Sequence, residues 1–130
     1  MVERAEQKGL EEFEGTVDNI EMEQGIEDRK QYHIYIDPID IEIKGATGKL
    51  HEWVPMSPKA TEESVPQGSV MDRYLTQVEI CISAAKKSKT IKEALGLMKG
   101  KKFKFKRLKL GKDFEGHPAR EYIVPVALVE

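Results

Sequence analysis

The sequence predicts a small all-β domain with a helical insertion, its five strands closing into a Greek-key barrel in the order β-β-β-α(α)-β-β. Three observations lead there. Apolar residues alternate with polar ones in five separate stretches, which is the period of a strand with one buried face. Between the third and fourth of these the spacing changes to that of a helix. The chain has 130 residues and is 39% hydrophobic, enough for one modest core.

Residues 1–11 are polar and charged without a sustained apolar stripe, and they read as a flexible acidic arm. Residues 12–130 read as a single domain. Phe13, Gly15 and Val17 alternate with Glu14, Thr16 and Asp18, and Ile20 and Met22 then continue on a shifted phase, so the first strand should carry a bulge near Asp18 and Asn19. A polar turn around Gly25 leads into the second strand, Gln31 to Ile43, rich in Ile and Tyr and interrupted by Pro38, where an edge or a bend is expected. The third strand follows Gly48. Its inward set is Leu50, Val54 and Met56, and Glu52 occupies the same apolar parity as the one exception.

Ser57 to Gly68 reads as a loop. Ser69 with Asp72, and Thr90 with Glu93, have the spacing of two helix starts, each followed by an apolar stripe: Val70, Tyr74, Val78, Cys81 and Ala85, then Ile91, Ala94, Leu95 and Met98. Gly100 ends the second. Phe103 and Phe105 among lysines mark the fourth strand. A loop from Gly111 to Arg120 leads to the fifth, about Glu121 to Val129, where Pro125 indicates an edge or a bulge.

This order, three strands, a helical segment and two strands, resembles the OB-fold of single-stranded nucleic-acid-binding proteins, including the archaeal replication protein A type. The resemblance spans roughly residues 12–129. It rests on element order, on the unit around Phe13, Gly15 and Val17, and on entry to the fourth strand at Gly100. It implies a binding face on the second and third strands.

Composition narrows the function. The single cysteine, Cys81, allows no internal disulfide and no thiolate pair for zinc, and it reads as a small buried side chain. Among His33, His51 and His117 no HxxxH or HxH spacing occurs, and GxSxG, GxxxxGK[ST] and GxGxxG are absent. The expectation is therefore a binding protein with no catalysis, no cofactor and no metal. With no long apolar run and an acidic N-terminus it should be cytoplasmic, and its many Lys and Glu lean toward a heat-adapted source.

The net charge of -2 hides an asymmetry. Lys86 to Lys112 holds 12 basic residues and one acid, a charge of +11, while the rest of the chain carries -13. With Ile34 and Ile36 turned inward, His33 and Tyr35 face outward; with Leu50, Val54 and Met56 inward, His51 and Trp53 do the same. These four rings would form a stacking platform, with Lys102, Lys104, Lys106, Arg107, Lys109 and Lys112 as a basic strip beside it and Phe114 at a loop tip. The expected partner is single-stranded DNA, or RNA. Plainer arrangements of the same residues exist: Trp53 under the 57–68 loop, Tyr35 over the helix, and the lysines as an ordinary solvated face. A second function class is a protein-interaction module, in which the acidic N-terminal region or the helices dock a partner in a replication or repair assembly.

Overall fold

The computed structural model describes residues 12–24, 30–39, 50–57, 59–110 and 121–129. The expected acidic arm and the loop carrying Lys112, Phe114 and His117 lie outside the described residues. Five antiparallel strands form one sheet: β1 (Glu12–Gln24), β2 (Lys30–Ile39), β3 (Leu50–Pro55), β4 (Lys102–Lys109) and β5 (Glu121–Leu128), ordered β3-β2-β1-β4-β5. Between β3 and β4 lie α1 (Val70–Cys81), a 3₁₀ turn (Ser83–Lys87) and α2 (Ile91–Gly96).

Strand β1 does the work of two. Its first part, Glu12 to Thr16, pairs with Lys106 to Lys102 of β4, and the stretch from Gly15 to Gln24 pairs with β2. Two register shifts, one on each side of Val17, allow this change of partner. The phase shift visible after Asp18 in the sequence thus corresponds to a pair of irregularities. Beyond them Ile20 packs against the core, while Glu21 and Glu23 stand opposite His33 and Gln31 of β2. Val17 N donates to Lys101 O (3.0 Å) and Gly100 N to Val17 O (2.8 Å), so the helical segment re-enters the sheet where β1 bends. Gly100 makes that entry at φ +81°, a conformation that disfavours side chains with a Cβ.

Both helix starts form as their residues dictate. Ser69 Oγ accepts from Asp72 N and Thr90 Oγ1 from Glu93 N, each satisfying a donor that the first turn leaves unpaired. Helix α1 buries Met71, Tyr74 and Val78 and packs against β5 and β3, covering the gap between the two edges of the sheet. Elsewhere in the same core, Phe13 and Phe105 stack at 5.5 Å and Phe103 meets Phe105 edge-on, so the rings flanked by Lys102, Lys104 and Lys106 belong to the core. Pro125 sits where edge strand β5 goes out of register with β4, reconciling both readings of that residue. Glu62 ties the long loop down: its carboxylate accepts from Tyr32 Oη (2.7 Å) and Lys92 N (3.0 Å), and its carbonyl from Ile91 N (2.8 Å).

Glu52, the exception on the apolar parity of β3, is 4% exposed. Its carboxylate accepts from Trp53 N (2.9 Å) and from Ile123 N of β5 (2.8 Å). A side chain thus spans the two edge strands. Nearby on α1, the Tyr74 hydroxyl is fully buried and has no hydrogen-bond partner among the described residues. Burial, and then the charge of Glu52, push its ionisation well above the usual phenol range. Burying a hydroxyl without a partner is costly, so Tyr74→Phe should stabilise the protein by about 1 kcal/mol, read as a higher urea midpoint. A lower midpoint would mean that the hydroxyl is satisfied by a bound water.

Candidate nucleic-acid interface

The ladder between β2 and β3 sets His33 opposite Trp53 and Tyr35 opposite His51. Because Ile34, Ile36 and Val54 are fully buried on the other face, these four rings share the outer one. They touch. His33 stacks on Tyr35 (centroids 3.9 Å) and on Trp53 (4.4 Å), His51 stacks on Trp53 (5.7 Å), and Tyr35 meets His51 edge-on (5.1 Å). His33 therefore lies between two rings, which is why a side chain directed outward is only 7% exposed. Trp53 and Tyr35 remain half-buried and His51 exposed.

Residues of β1 fix the edges of these rings. Glu23 accepts from Trp53 Nε1 (3.3 Å) and bonds His33 Nδ1 (2.7 Å), and Glu21 accepts from Tyr35 Oη (3.1 Å). His33 Nε2 bonds His51 Nδ1 (2.7 Å). The hydrogen bond from His33 holds the Glu23 carboxyl below the ordinary carboxylate range. Burial among its neighbours, then the bond to Glu21, raises the Tyr35 phenol. A carboxylate can only accept, so His33 Nδ1 carries the proton toward Glu23; a neutral His33 must then accept at Nε2 from His51 Nδ1–H. The lone pair of the chain ends up on His51 Nε2.

This pairing has a consequence for acid stability. A carboxyl group with a lowered folded pKa contributes stability that is present above the unfolded value of about 4.3 and is lost as pH falls through the folded one. Glu23→Gln should therefore lower the urea midpoint at pH 7 and match the parent protein near pH 3. An equal deficit at both pH values would show that the carboxylate charge contributes nothing.

The lysines of β4 do not lie directly beside the rings. Strand β1 runs between β4 and β2, a separation across the sheet of two ladder spacings, roughly 10 Å, and the lysines are also displaced along it: they face Glu12 to Thr16, while Tyr35 and His33 stand opposite Asn19 and Glu21. Its carboxylates meet the strip: Lys104 pairs with Glu12 (2.7 Å) and Lys102 with Glu14 (3.4 Å), while Lys106 stands opposite Glu12 in the ladder. Glu12 is lowered and Lys104 raised by their shared hydrogen bond. Lys106 and Lys109 are exposed and Arg107 is half-buried. Lys112 and Phe114 lie outside the described residues.

Strand parity places the four rings on one face, whereas nothing local in the sequence marks Glu21 and Glu23 as their partners. Their part depends on the register of β1 against β2, which the bulges around Val17 set and no local pattern reveals. Among the described residues no group of three His, Cys, Asp or Glu side chains is placed to hold a metal ion, and no helix is long and apolar enough to cross a membrane. Cys81 is a free, half-buried thiol whose ionisation burial pushes up, the opposite of what activates a nucleophile. No family model matches the chain, and no curated protein is significantly similar to it.

Proposed function

We propose that this protein binds single-stranded nucleic acid, DNA in the first instance, on the outer face of β2 and β3. The observation that carries the reading is the ring cluster: Tyr35 and Trp53 stack on the two sides of His33, each keeping part of its surface in solvent, and carboxylates hold them by their edges. Folding alone gives little reason to leave Trp and Tyr rings half-exposed and in register; a ligand with flat apolar bases does. Since Lys102 and Lys104 are engaged with Glu14 and Glu12, the phosphate contacts fall to Lys106, Arg107 and Lys109.

The same reading takes the sheet as an OB-type barrel opened between its third and fifth strands. The order β3-β2-β1-β4-β5, the helix over the gap and the Glu52 bridge from β3 to Ile123 support it.

The only tryptophan is in the cluster, so its emission reports on the site directly. Titration with an oligothymidylate at low salt should quench Trp53, and added salt should reverse the effect steeply. Unchanged emission together with no mobility shift at low salt would overturn the reading. One observation favours a second: Glu21 and Glu23 place negative charge among aromatic rings, an arrangement suited to a lysine or arginine side chain of a protein partner. Quenching by a basic peptide and not by the oligonucleotide would select it.

A further inference from the structure

We infer that His51 is a phosphate-contacting cation of this face, loaded by one proton at the end of the Glu23–His33–His51 hydrogen-bonded chain, so that strand binding takes up a proton. The inference rests on the nucleic-acid reading above and adds its regulation.

The geometry of the chain leads to it. Both ring nitrogens of His33 are committed, Nδ1 to Glu23 and Nε2 to His51, each at 2.7 Å, and the ring is almost wholly covered by Tyr35 and Trp53. An incoming proton thus has one place to go without breaking a bond, Nε2 of the exposed His51. Once there, it leaves His51 Nδ1–H still donating to His33 and turns the outward nitrogen from an acceptor into a charged donor. A second proton on the pair would set N–H against N–H across 2.7 Å, so uptake is limited to one.

The groups facing this pair make that charge matter. From β1 come Glu21 and Glu23, from β2 Tyr35 and, two residues further on the same parity, Asp37, and from β3 the uncharged Trp53. Without the proton the platform presents carboxylates to a polyanion. With it, a positive group stands beside the stacking surface itself, two strands away from the lysines of β4. Histidine is the side chain whose charge can change between about pH 5 and 8, which sets the range to be tested.

Oligothymidylate suits the test because neither thymine nor the phosphodiester titrates in this range. Its dissociation constant should be measured from pH 5.5 to 8 at constant ionic strength, by anisotropy of a labelled strand, for the full chain and for His51→Gln. Gln keeps a donor for His33 and cannot take the charge. Affinity should rise on acidification by up to about tenfold per pH unit, the limit for one linked proton, and the slope should vanish in the variant. In the free protein, Trp53 emission should fall over the same range, and in His51→Gln it should not. Binding of equal affinity at all pH values, or a slope retained in His51→Gln, would overturn this inference alone. No binding at any pH would overturn the nucleic-acid reading and this inference with it.

Discussion

Replacing Glu52 by alanine is expected to cost the fold about 3 kcal/mol, because it leaves one buried and one part-buried backbone donor without this acceptor, at about 1–3 kcal/mol for a buried group. Those donors are Trp53 N on β3 and Ile123 N on β5, at 2.9 and 2.8 Å from the carboxylate. Strands β3 and β5 are the two edges of the sheet, and an unpaired edge is where a β-structure opens first. The carboxylate stands in for a ladder bond between them. Glu52→Gln keeps one acceptor oxygen and should lose about half as much. The measurement is urea unfolding, with a lower midpoint at unchanged slope, and hydrogen exchange at Ile123 N–H, which should accelerate more than exchange at β1 amides. A variant with the parent midpoint would show that α1 closes the gap alone.

Trp53→Ala should weaken oligothymidylate binding about 30-fold, the equivalent of about 2 kcal/mol for one lost stack. The loss has two parts. The indole surface disappears, and His33 and Glu23 lose the neighbour that fixes one side of the cluster. Trp53→Phe, which restores a ring without the donor to Glu23, should recover most of the affinity if stacking dominates. Lys106→Ala, by contrast, should cost less and reduce the salt dependence by about one unit of slope, as expected for a phosphate contact. Anisotropy of a labelled strand measures all three. A Trp53→Ala variant that binds as the parent does would move the site away from the rings.

Element order was legible because each signal is local. Ser69 and Thr90 announce their helices through the residue three positions on, and the alternation of Phe103 and Phe105 with lysines is met as buried and solvated faces of β4. His33, Tyr35, His51 and Trp53 could be assigned to one face by parity alone. That His33 would be enclosed rather than exposed was not legible, because its burial comes from a side chain two residues away and another across the ladder. The strip of β4 lysines was visible as charge, yet its pairing with Glu12 and Glu14 depends on which strand lies next to it.

The residue pattern of this protein determined its alternating strands, its two capped helices and the membership of its ring cluster, since those follow from side-chain period and from hydrogen bonds a few residues long. Strand adjacency belongs to the tertiary structure, and with it came the carboxylates of β1 between rings and lysines, the proton chain through His33, and the Glu52 bridge. Such contacts join residues 71 positions apart, as in Glu52 and Ile123, or further, as in Glu12 and Lys104, and their register is set by bulges and edges that no short window of sequence contains.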